Sequence, residues 1–139
     1  MSRPIILLGV VAALNGFLAV ALGSFAAHGL QHYASAEQLP TWQTGVRYHM
    51  FHVMAAFIAM VISGVVGSGC RGYRWALMAG WLFIAGALLF SGSLYLLVLA
   101  PRDWLMWTAP LGGGLFLVGW VTLVVALIRQ WPRDKAVEK

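Results

Sequence analysis

Apolar residues in this chain gather into four long runs, roughly 5–27, 46–66, 75–100 and 107–128, and the polar residues gather into the gaps between them. Each run is about 20 residues or longer, enough as a helix to cross roughly 30 Å of hydrocarbon. The pattern predicts an all-α membrane protein: a compact bundle of four transmembrane helices over residues 1–131, then a short charged tail at 132–139.

The gaps sort the charges unevenly. If all four runs span, the N-terminus, the 67–74 loop and the tail share one side and carry Arg3, Arg71, Arg74, Arg129, Arg133, Lys135 and Lys139; the other side carries only Arg47 and Arg102. Seven against two under the positive-inside rule places both termini in the cytoplasm. Composition agrees, with 61% hydrophobic and 9% charged residues, far from a soluble average. The net charge of +5 is then a set of topology anchors beside anionic lipid, not a nucleic-acid surface. The first run is too long for a secretory signal and continues past Asn15 to Ala27, so it is expected to be retained. Cys70 is the only cysteine, so it has no internal disulfide partner and sits reduced in the cytoplasmic loop.

Small residues predict how the helices pack. Gly9, Gly16 and Gly23 lie seven apart in the first run, each followed three residues later by Ala12, Ala19 or Ala26, which makes a narrow stripe suited to a left-handed crossing near +20°. The fourth run repeats the device with Gly112, Gly119 and Ala126, the third with Ala79, Gly86 and Ser93, and the second with Ala55, Ala59, Ser63 and Gly67. Aromatics fall at two levels, Trp42, Tyr48, Trp104 and Trp107 at the outer interface and Tyr73, Trp75 and Trp131 at the inner one. Ser35 with Gln38 has the form of a capping box for a short turn that Pro40 ends, Thr41 caps the second helix, and Thr108 with Pro110 marks the start of the fourth.

The chemistry is confined to one level. His28, His32, His49 and His52 all lie at the outer ends of the first two helices, with Arg47, Tyr48, Glu37 and Asp103 able to reach them. A group formed by His28, His49 and His52 is either a structural polar cluster or a place for a transition metal, a haem or a quinone head group. No Cys₂His₂ or H-E-x-x-H spacing accompanies it, so no cofactor is the leading expectation. Arg47 lies inside the apolar boundary, where a charge must snorkel or pair; Asp103 is its first candidate partner and Glu37 its second. Asn15 is about 15 Å deep in the first helix and is expected to hydrogen-bond across helices, with Thr122 at comparable depth. A proton-coupled exporter would need a membrane-embedded carboxylate, yet Glu37, Asp103, Asp134 and Glu138 all lie outside the runs. No nucleophile with an attendant base and no phosphate-binding glycine loop is visible.

The stretch from Gly16 to His52, with GSFAAHGL at 23–30 and WQTGVRYHMFH at 42–52, together with FSGSLYLL at 90–97 and TAPLGG at 108–113, resembles the domain of unknown function 423 family. These are small bacterial inner-membrane proteins with a distant eukaryotic relative, transmembrane protein 256. The resemblance implies a four-helix integral membrane protein and no established activity. His28 and His52 fall in its blocks and stand first among the histidines; His32 falls outside them. The expectation is therefore a non-enzymatic component that contacts the lipid bilayer and assembles with itself or a larger membrane complex through the glycine faces of the first and fourth helices. The alternative is a redox, haem, quinone or metal-handling accessory protein that uses the histidines.

Overall fold

The computed structural model describes residues 2–130, and the expected tail at 132–139 and the interfacial Trp131 lie outside them. Four long helices follow in order: α1 (Arg3–His28), α2 (Leu39–Val66), α3 (Arg71–Leu99) and α4 (Leu105–Ile128), with one 3-10 turn at Leu30–His32 between the first two. All four are long and apolar enough to cross a membrane.

Their ends depart from expectation by local chemistry. α2 starts at Leu39 and takes Pro40 into its first turn, where a proline's missing N–H costs nothing; Pro40 therefore ends no turn and Thr41 caps nothing. The Gln38 side chain does reach back, accepting from the Ser35 N–H at 2.9 Å, which is half of the expected capping box. α4 likewise starts before Trp107, so Pro110 lies inside it and leaves the Met106 carbonyl without its usual i+4 donor. Gly67, expected in the α2 seam, stands beyond the helix at φ +75°, a conformation that favours glycine.

One end of the molecule gathers the start of α1, the end of α2, the start of α3 and the end of α4. There the Ser2 and Tyr73 hydroxyls bond at 2.7 Å and Gly72 lies against the Ala126 carbonyl. α3 is the common neighbour: it packs against α2 and α4 along their lengths and touches α1, which rests mainly on α2. α1 and α4 do not pack together.

Burial in lipid gives little hydrophobic gain, so close backbone approach and polar bonds hold such helices together. The main core accordingly mixes Ala12, Ala55, Ala56, Ala59, Ala79 and Ala87 with Leu8, Phe83, Ile84, Phe116 and Leu123. The glycines complete it. Carbon added at Gly9, Gly16 or Gly23 would meet Met60, Val53 or Val46 of α2, and at Gly112 or Gly119 it would meet Phe90 or Phe83 of α3. All five glycines face a neighbouring helix of the same chain, so the seams are consumed inside it. They are therefore not free faces for assembly with other subunits. At the opposite end a second cluster joins Leu30, Trp42, Tyr95 and Val98. Trp42 is buried there and its indole N–H donates to the Leu22 carbonyl at 3.0 Å, so it is a core residue and not part of the interfacial belt; Trp104 and Trp107 remain exposed. Tyr73 is likewise buried.

Candidate functional site

The four histidines do not converge. His28 and His32 close α1 and the 3-10 turn as exposed side chains. His49 and His52 are buried, 2% and 4% exposed, yet they serve different neighbours, because three residues along a helix turn one side chain about 60° from the other. His49 faces α1 and α3, and His52 faces α4. Among the described residues no group of three His, Cys, Asp or Glu side chains could hold a metal, so His28, His49 and His52 are not a ligand set.

His49 is the middle of a polar chain. The Asn15 amide nitrogen donates to the Val11 carbonyl at 2.9 Å, which leaves Oδ1 to accept from His49 Nε2 at 3.4 Å. The Tyr95 hydroxyl then donates to His49 Nδ1 at 3.4 Å. This assignment satisfies each group with a neutral imidazole and ties α1, α2 and α3 together. The interhelical partner of Asn15 is His49. Thr122 bonds the Val118 carbonyl of its own helix at 2.7 Å, and α4 is not adjacent to α1.

His52 Nδ1 donates to the Tyr48 carbonyl one turn back at 2.9 Å, which fixes the neutral tautomer and leaves Nε2 as an acceptor. Its ring lies flat on Phe116 of α4, centroids 3.4 Å apart and planes within 6°. Phe51 and Phe83 stand around it at 5.3 and 5.8 Å. The expected ion pair is not made. Arg47, Glu37 and Asp103 are all exposed, and among the described residues Arg47 has no carboxylate within 4.0 Å.

α2 and α4 both flank α3 and meet each other through aromatic rings. Above the rings they stand apart, and a cleft of about 760 Å³ opens between them, within the usual range for a small-molecule site. Phe90 forms its floor, Tyr48, Phe51 and His52 line one wall, Phe116, Leu117 and Trp120 line the other, and Arg47 lies at the edge. Pro110, Gly113 and Gly114 complete the α4 side. Gly114 has no atom within 4 Å of where a Cβ would be, so bare backbone borders the space.

Tyr95 and Phe116 are the residues that sequence reasoning missed. Tyr95 had a signal, as a hydroxyl deep in an apolar run; the flat contact of Phe116 on His52 had none.

Comparison with known proteins fits this architecture. A family described as "Protein of unknown function (DUF423)" matches residues 22–113, from the last turns of α1 to the first of α4. A UPF0382 membrane protein of Staphylococcus aureus (strain bovine RF122 / ET3-1) is 42% identical over 120 residues, covering 86% of this chain and 93% of the relative. The UPF0382 membrane protein YwdK of Bacillus subtilis is 42% identical over 124 residues, covering 86% and 94%. A UPF0382 membrane protein of Haemophilus influenzae is 43% identical over 111 residues, covering 80% and 85%. No solved structure matches.

Proposed function

The chain belongs to the DUF423 family of membrane proteins, and on that premise we propose that it is a non-enzymatic binding component of the bacterial inner membrane. Its working part is the cleft between α2 and α4, which takes the hydrophobic portion of a membrane amphiphile sideways from the bilayer. The observation that carries this reading is the failure of two helices packed on the same neighbour to close over it, with glycine backbone where a filling side chain would stand. His52 Nε2, an acceptor beside an apolar wall, suits an amphiphile with a hydroxyl near its tail, such as a glyceride, a polyprenol or a quinol.

Gly114→Phe tests it, since the new ring has open space to enter. Protein purified in mild detergent from its native membrane should carry a co-purifying hydroxylated lipid, detected by mass spectrometry, that the variant lacks while retaining its fold. A lipid content identical in the two proteins would remove the reading.

Both termini are proposed to face the cytoplasm. Arg3, Arg71, Arg74 and Arg129 at one end against Arg47 and Arg102 at the other support this. The exposed Cys70, the chain's only cysteine, reports on it without mutation. A membrane-impermeant maleimide should label inverted vesicles and spare intact spheroplasts, and the reverse result would invert the topology.

A further inference from the structure

A second cavity, of about 650 Å³, lies at the opposite end of the molecule from the histidines, between the start of α3 and the end of α4, lined by Arg71, Arg74, Trp75, Met78 and Arg129. We infer that it is a binding site for the phosphate headgroup of an anionic phospholipid, in the leaflet that borders the start of α3. This inference is independent of the α2–α4 cleft.

The spacing makes the site. Arg71, Arg74, Trp75 and Met78 stand at i, i+3, i+4 and i+7 and so share one face of α3. From the helix start inward that face is basic, then aromatic, then apolar, which is the order of phosphate, glycerol and acyl chain in a lipid. Arg129 comes from α4, its guanidinium carbon 4.8 Å from the centre of the Trp75 ring, so one of the three cations is already held over the cavity. Guanidinium forks match phosphate oxygens in pairs.

Nothing at this end among the described residues neutralises them. The described carboxylates are Glu37 and Asp103, both at the other end of the bundle. The first turn of α3 starts at Arg71 with no acidic residue and no side-chain cap, which adds free amide N–H groups and the positive end of the helix dipole to the same place. A basic pocket between membrane helices with an apolar floor is the arrangement that takes lipid headgroups. The floor of Met78 and Trp75 favours a lipid over a free anion.

The test is a titration of the detergent-purified full chain with phosphatidylglycerol and with phosphatidylcholine, counting bound lipid by native mass spectrometry. Phosphatidylglycerol should be retained and phosphatidylcholine not. Arg71→Gln and Arg74→Gln should each weaken retention about fivefold, the worth of one basic residue near a lipid phosphate, and Arg74→Lys should restore most of it. Arg3→Gln and Arg102→Gln should leave it unchanged. Equal retention of the two lipids, or an equal loss on Arg3→Gln, would overturn the assignment in favour of diffuse charge. Displacement by inorganic phosphate would make it a free-anion site.

Discussion

Replacing Gly112 by alanine adds one methyl group where α4 crosses α3. That carbon would run into the Phe90 backbone nitrogen and stand 2.8 Å from its Cα and Cβ, well inside the usual carbon contact of about 3.5–4.0 Å. Backbone atoms cannot rotate away, so the helices must part by about 1 Å over the crossing. The movement also loosens Gly86, whose added carbon would meet Phe116 at 2.6 Å and the Gly112 carbonyl at 3.1 Å. Overpacking typically costs about 1–3 kcal/mol, and a rigid backbone partner puts this case at the upper end, about 3 kcal/mol. Gly114→Ala is the matched control, two residues on with no atom within 4 Å, and should stay within about 0.5 kcal/mol of the parent. Reversible unfolding in mixed micelles with rising dodecyl sulfate, followed by the fluorescence of the seven tryptophans, measures both. Equal effects at the two positions, or a cost below about 1 kcal/mol at Gly112, would refute a backbone-to-backbone crossing here.

The same assay checks three further expectations. Arg47→Ala and Asp103→Ala should add to within about 0.3–0.5 kcal/mol, as for residues that share no bond, and a larger coupling would restore the ion pair. His49→Leu and Tyr95→Phe should couple by about 0.6 kcal/mol, the mean for a hydrogen bond between membrane helices, whereas strict additivity would dissolve the Asn15–His49–Tyr95 chain. Gly67→Ala, forced to φ +75° and ψ 161°, a region open essentially to glycine alone, should cost about 1–3 kcal/mol, and a neutral result would mean the loop adopts another conformation.

Much of the fold is legible in the chain because lipid imposes one rule on backbone: spans must be helical and long enough to cross. The five seam glycines are legible too, since only small residues let helices approach closely. What depth along a helix does not reveal is rotation and neighbour. Depth pairs Asn15 with Thr122, but α1 rests mainly on α2 and does not pack along α4, so the amide finds His49. Depth puts Trp42 in a belt, but the 3-10 turn at Leu30–His32 brings Leu30 against it and Tyr95 closes over it, with ring centroids 4.7 Å apart. Depth leaves Arg47 either to snorkel or to pair with a carboxylate, and its exposed face leaves it free to snorkel toward the interface.

The order of contacts has a consequence for how the protein is made. α1 rests on α2, α2 on α3 and α3 on α4, so each helix entering the bilayer meets a partner that has just preceded it. Loop closure between such neighbours costs little entropy. The His52–Phe116 stack skips a helix, so it must wait until α4 has inserted and docked on α3. The α2–α4 cleft is therefore the last feature of the molecule to form. A chain stalled before α4 would already hold the Asn15–His49–Tyr95 chain, with the ring of His52 still bare to lipid.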